Sequence, residues 1–235
     1  GGKGTITVAS ACTMAGIVAG CITSTGLASK LLRAIVSASG GVMIIALLLT
    51  MICCIVLGMG VPTTATYCIM AATCAPILMS PEIGVEMLAA HFFVFYFGIV
   101  ADITPPVALA AYAGAAIAKA GPMKTAFNAS RLAIAAFIVP YIIAMNPAML
   151  FINTTIPEVV MITITSIIGI FGVAAGLSGF VFRNMKWWER ILCIVGGLTL
   201  LVPGSLTDLI GLVLVGAVCV LGYQAAKKEK EVLVV

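Results

Sequence analysis

The sequence predicts an all-α integral membrane protein: a multi-span helical bundle with a re-entrant helical hairpin and a discontinuous helix. Three observations lead there. Of 235 residues, 63% are hydrophobic and 9% charged, where a soluble domain carries about 25% charged residues. From Ala34 to Pro81 no residue is charged. Two clusters of helix breakers interrupt this apolar background, Gly58-Met59-Gly60-Val61-Pro62-Thr63-Thr64-Ala65-Thr66 and Asp102-Ile103-Thr104-Pro105-Pro106.

Taken in order, Thr5 to Ser29 is uncharged and long enough for one span. Lys30 and Arg33 follow. As one helix, the run from Ala34 to Pro81 would be ~72 Å long, far beyond a ~30 Å hydrocarbon core. It must fold back, and Gly58 to Pro62 is the turn signal in its middle. Two arms of ~25 Å result, about Gly41–Leu57 and Thr63–Met79. A hairpin over about 41–79 that returns to the same face fits them at least as well as two full spans. Ser80 to Glu86 is a polar turn, with Glu82 and Glu86 reading as solvated. Met87 to Ala118 is apolar but interrupted at Asp102 and Pro105-Pro106. The residue before a proline is pushed out of the helical region, and proline suits the first helical position. The expected result is a broken helix over about 87–118, one half ending near Val100 and the other starting near Pro105.

Lys119 to Arg131 reads as a basic amphipathic connection. Leu132 to Ile156 reads as a span kinked at Pro140 and Pro147, and Val159 to Phe182 as another. Gly169, Gly172, Gly176 and Gly179 share one helical face, the pattern of close helix packing. Arg183 to Arg190 is a second basic loop with Trp187-Trp188 as interfacial anchor. Ile191–Leu206 and Leu209–Ala226 form a final pair turning at Pro203-Gly204-Ser205. Lys227-Lys228-Glu229-Lys230-Glu231 ends it. The three basic clusters lie two spans apart, so all face the cytoplasm by the positive-inside rule. Lys30 and Arg33 then fall on the other side, in a short interfacial segment that departs from the rule. Residues 1–145 hold the hairpin and broken helix, and 146–235 the later transmembrane segments, a division that the resemblance described below implies.

The net charge of +4 sits between apolar spans and does not indicate nucleic acid. The eight Cys residues form no CxxC pair and read as buried, inert thiols, without disulfide or metal. No Cys/His pairing and no intramembrane carboxylate pair suggests an enzyme. Gly1-Gly2, with no Met and no signal peptide, reads as the start of a portion of a longer polypeptide.

Irregular backbone at hydrocarbon depth must be buried in protein or line a cavity. Broken helices near the midplane point to the binding site of a secondary transporter. Thr63, Thr64 and Thr66 open the returning arm, where unpaired N–H groups favour an anion. Gly58 and Gly60 let backbone approach a ligand or the opposing break, and Pro62 completes the turn. The arm ending at Leu57 exposes carbonyls suited to sodium. At the second break, Val100, Ala101 and Ile103 offer carbonyls and Thr104 a hydroxyl, with Pro105 and Pro106 opening the next half-helix. Against this, Gly/Pro breaks also serve simply as kinks. Asp102 is functional by default in a membrane, or caps the following half-helix, or lies in a wet cavity. His91 reads as interfacial rather than as a proton carrier, and Phe92-Phe93-Val94-Phe95-Tyr96-Phe97 as packing rather than a ligand cage.

Leu57 to Ala65, His91 to Gly98 and Ile103-Thr104-Pro105-Pro106-Val107-Ala108-Leu109-Ala110-Ala111-Tyr112 resemble the large permease subunit of tripartite ATP-independent periplasmic (TRAP) transporters. The version looks like fused permeases that work with TAXI-type binding proteins, and the last ~85 residues resemble their C-terminal extension. The resemblance implies an elevator-type carrier of two inverted repeats, each with a hairpin and a discontinuous helix. This chain would supply the second repeat, with Gly58 to Thr66 as hairpin tip and Thr104-Pro105-Pro106 as the helix break. The expected activity is sodium-coupled symport of small organic acids such as C4-dicarboxylates or 2-oxo acids, with Na+ as coupling ion at Gly58, Gly60 and Thr104 and no other cofactor. The expected partners are a periplasmic TAXI-type binding protein, the upstream half of the permease with its fused small-subunit helices, a small organic anion and membrane lipid. The expected location is the bacterial inner membrane, in multi-pass form. A sodium–dicarboxylate carrier working without a binding protein is the alternative, and a channel a further one.

Overall fold

In the computed structural model, which describes residues 2–152, 154–202 and 204–233, every regular segment is helical; among these residues the only β feature is an isolated bridge between Phe180 and Asn184. The chain divides into two units, Gly1–Ala144 and Met145–Val235.

The first unit begins with α1 (Gly2–Ser24) and α2 (Leu27–Ser39). The sequence reading runs one span to Ser29, but Gly26 takes a left-handed conformation (φ 65°) and separates the two helices. Lys30 and Arg33 therefore sit on the exposed face of a second, amphipathic helix whose buried face carries Ile35 and Ser39.

Two short helical arms joined by a tip follow over the expected stretch. The descending arm is α3 (Met43–Gly58). The returning arm is α4 (Thr63–Thr73), continued after Cys74 by α5 (Ala75–Leu78). Each arm is shorter than the ~20 residues a straight span needs. The buried positions of α3 are Ala46, Leu47, Thr50, Cys54 and Gly58. Their spacing of three to four residues makes one apolar stripe, which packs against α6 (Met87–Val100). Glu86 is not merely a solvated turn residue. Its carboxylate caps α6, accepting from the N–H groups of Leu88 (2.7 Å) and Ala89 (3.2 Å).

After α6 the chain tightens into a 3-10 turn, Ala101–Ile103, and resumes as α7 (Leu109–Ala118). The first half ends at Val100, as expected. The second starts at Leu109 and not near Pro105, because two successive prolines restrict the residues before them and leave a connector; the Pro105–Pro106 bond is cis. Then come α8 (Pro122–Leu132) and α9 (Ile134–Met145), bent by 42°. The predicted basic connection is thus itself a helix. Pro140 lies within α9.

In the second unit, Pro147 does not kink a span: it opens a 3-10 turn, Pro147–Leu150, ahead of α10 (Ile156–Ser178). Next are α11 (Trp187–Thr199) and α12 (Ser205–Leu233). Pro203 of the predicted turn lies outside the described residues. By length and apolarity α10 and Leu206–Ala225 of α12 can each cross a membrane, and the bent α8–α9 pair counts as a third if it is one span. At 13 residues α11 rises only ~20 Å, so Ile191–Leu206 is not a straight span. The glycine face of α10 meets the backbone of α11. A methyl group at Gly169 would lie 2.9 Å from the Gly197 carbonyl oxygen, and one at Gly176 2.7 Å from that of Arg190. Gly179 acts differently. At φ 74° it ends α10, and the Arg190 guanidinium donates to the terminal carbonyls of Gly176 (2.9 Å) and Leu177 (3.0 Å). Glu189 is 4% exposed. It pairs with Arg183 at 2.5 Å and accepts from the Lys186 N–H at 2.8 Å.

Candidate functional site

The two breaks meet. Gly58, the last residue of α3, is buried against the end of α6 and the start of the 3-10 turn. A methyl group at Gly58 would lie 3.1 Å from the Ala101 Cβ, 3.1 Å from the Met70 Cε and 3.2 Å from the Gly98 carbonyl oxygen. The opposite side is equally tight: one at Gly98 would lie 3.0 Å from the Thr66 Cγ2 and 3.2 Å from the Met70 Sδ. Glycine stands at this crossing because a Cβ at either position would press on its neighbours more tightly than ordinary contact. Met70, fully buried on α4, fills the remaining space.

The hairpin tip, Met59 to Pro62, holds itself by short local bonds. Gly60 adopts φ 75°, and the Val61 N–H reaches the Gly58 carbonyl at 3.4 Å. Pro62 precedes α4 in an extended conformation, and its carbonyl accepts the Thr66 N–H at 2.9 Å. The Thr66 hydroxyl donates to the Val61 carbonyl at 3.0 Å. Thr66 is buried, whereas Gly60, Pro62, Thr63 and Thr64 are exposed. The N–H groups of Thr63, Thr64 and Ala65 precede the first turn-closing bond of α4, so they have no partner within the helix.

At the second break the backbone is more occupied than the sequence implies. The Thr104 hydroxyl donates to the Val100 carbonyl at 2.7 Å, and the Thr104 N–H to that of Ala101 at 3.2 Å. The Ile103 carbonyl accepts from the Ser130 hydroxyl on α8 at 2.9 Å. The Pro106 carbonyl accepts from the Tyr112 hydroxyl on α7. Thus all three carbonyls expected to hold a cation already accept one hydrogen bond. Ala101 and Ile103 each retain a second lone pair, whereas the Val100 carbonyl also takes the Ile103 N–H that opens the 3-10 turn. Asp102, Thr104 and Pro105 are half-buried and Pro106 is exposed. Asp102 does not cap the following half-helix, whose N-cap is Ala108, in a left-handed conformation and without a side-chain bond.

So the structure brings together Gly58, Thr66, Gly98, Met70 and the 3-10 turn at Ala101–Ile103. Gly60, Thr63 and Thr64 lie on the exposed side of the tip. Sequence reasoning misses Gly98, Met70, Tyr112 and Ser130 as site residues. Gly98 is the one with a visible signal, a glycine inside an aromatic helix. His91 accepts or donates a bond to the Tyr67 hydroxyl (3.1 Å to Nδ1), joining α6 to α4. Phe93 and Phe97 are fully buried and meet Tyr141 edge to face, so they pack rather than cage a ligand. Among the described residues no His, Cys, Asp and Glu group could hold a metal ion.

A family model for the DctM component of the tripartite ATP-independent periplasmic transporter matches residues 1–159. A domain of unknown function, DUF3394, matches residues 159–215. No curated protein and no solved structure matches the chain.

Proposed function

We propose, for a chain that belongs to the family of the DctM component of tripartite ATP-independent periplasmic transporters, that the paired breaks form half of a sodium and organic-anion site. The family is one of membrane permeases for secondary transport, working with a periplasmic binding protein and a partner permease subunit. The finer reading is sodium-coupled symport of small organic acids, such as C4-dicarboxylates or 2-oxo acids, by an elevator motion in a bacterial inner membrane. A TAXI-type binding protein would deliver the substrate, and the upstream half of the permease would complete the site.

The observation supporting it is the contact of Gly58 with Ala101 and Gly98. It sets the carbonyl end of α3 against the carbonyl end of α6, so two negative helix ends converge. A monovalent cation bound to the carbonyls beside this contact would relieve that repulsion. Thr66 and Thr104 both give their protons to carbonyls, which leaves hydroxyl lone pairs as cation ligands. On the exposed side of the tip, Thr63 and Thr64 offer N–H groups at the positive end of α4, suited to a carboxylate.

The test is uptake of labelled organic acids into vesicles containing the complete permease, its partner subunit and its binding protein. Uptake should follow an imposed sodium gradient. Thr64→Ala should raise the substrate concentration for half-maximal uptake, and Thr104→Ala the sodium concentration. Normally inserted variants with unchanged dependences would refute the site.

A further inference from the structure

The second break is held open by side chains from outside it, and we propose that Ser130 is a positioning residue for the cation site, acting through the Ile103 carbonyl. The inference rests on the sodium reading above and adds to it a residue that none of the broken elements contains.

Ser130 lies 27 residues beyond Ile103, on α8. Its hydroxyl is 2.9 Å from the Ile103 oxygen and 3.1 Å from the Ala126 oxygen of its own helix. One hydroxyl has one proton. The Ala126 carbonyl sits in the helical ladder four residues before Ser130, where it has an N–H donor of its own. Ile103 closes the 3-10 turn ahead of two prolines, which have no N–H. The proton therefore serves Ile103, by the shorter bond. Tyr112 does the same one step later, through the Pro106 carbonyl. Ala108, Ala111 and Ala126 pack α7 onto α8, with Tyr112 and Ala129 against them. The connector between 103 and 109 is thus fixed from one side by a single α7–α8 body.

This placement has a chemical consequence. With the Ser130 proton on one lone pair, the Ile103 oxygen can offer a cation only the other. The hydroxyl thereby selects the direction of that carbonyl, and with it the approach of the ion. Removing the hydroxyl frees the carbonyl to rotate, and ion affinity falls while the transport cycle stays intact.

The experiment uses the complete permease with its partner subunit and binding protein, comparing Ser130→Ala, Ser130→Thr and Tyr112→Phe. Ser130→Ala should raise the sodium concentration for half-maximal uptake about fivefold, the equivalent of one hydrogen bond. Maximal rate should remain near wild type. Ser130→Thr keeps the hydroxyl and should restore the wild-type value. Hydrogen–deuterium exchange should rise at the amides of residues 101–104 and 107–109 in Ser130→Ala and Tyr112→Phe, and return to wild type in Ser130→Thr. Unchanged sodium dependence in Ser130→Ala overturns the inference, as does a loss that Ser130→Thr fails to restore. Faster exchange with unchanged sodium dependence also overturns it, leaving a purely structural bond. Wild-type uptake indifferent to sodium sinks the coupling reading itself, and is seen before any variant is made.

Discussion

Replacing Gly58 with alanine tests the meeting of the breaks directly. The new methyl group would sit 3.1 Å from the Ala101 Cβ, 3.1 Å from the Met70 Cε and 3.2 Å from the Gly98 carbonyl oxygen, against an optimum near 3.5–4.0 Å for carbon atoms. The Met70 terminus can swing aside. The Ala101 Cβ and the Gly98 oxygen are fixed to backbone and cannot. Overpacking of this kind costs about 1–3 kcal/mol. Alanine recovers up to ~1 kcal/mol of helix propensity, less at the last residue of α3. A net loss of about 1 kcal/mol remains, or roughly 2–4 °C in melting temperature for a domain of this size. Ala101→Gly in the same chain removes one of the two rigid contacts and should recover part of the loss. Gly60→Ala is the control. Its methyl group meets nothing within 4 Å, but at φ 75° it strains the backbone by roughly 1–2 kcal/mol. Ala101→Gly should not rescue it. The assays are thermal unfolding in detergent and gradient-driven uptake. A Gly58→Ala permease that melts and transports like wild type, or gains nothing from Ala101→Gly, would refute the proposed contact between the breaks.

Other predictions address single interactions. Glu189→Gln leaves Arg183 in a mostly buried site without its carboxylate and should cost about 3 kcal/mol in thermal unfolding; the pair Arg183→Met/Glu189→Leu should lose less than Glu189→Gln alone. Gly176→Ala drives a methyl group to 2.7 Å from a backbone oxygen, so α10 and α11 must separate, which a proximity label across that interface would report. Glu86→Ala removes the cap of α6 and should lower stability by about 1 kcal/mol, whereas Glu82→Ala, at an exposed position, should not. Tyr67→Phe breaks the bond to His91 and should cost about 1 kcal/mol; in a double-mutant cycle, His91→Phe added to it should cost nothing further.

The hairpin and the broken helix were legible because uncharged length and Gly/Pro chemistry act locally. A 48-residue apolar run cannot stay straight, and Pro62 and Pro105 mark where the chain breaks. The α10 glycine face was legible by the same logic of spacing. What local chemistry could not give was the partner of each exposed backbone group. Nothing near Ile103 in sequence announces Ser130, and the start of α7 at Leu109 depends on both prolines together with the Tyr112 hydroxyl. Gly26 also escaped, because one glycine in an apolar run is common, and only its left-handed conformation separates α1 from α2.

Between Gly58 and Gly98 the filler is a thioether, not a branched or aromatic group. Methionine has three rotatable bonds and a polarisable sulfur, and it fits irregular gaps without one preferred shape. At the joint between the two broken helices Met70 is therefore the adaptable part, filling the gap beside rigid backbone contacts. The same softness is a chemical weakness. Met70 is fully buried, so oxidation to the sulfoxide would require the joint to open first and would then put a polar group into its packing.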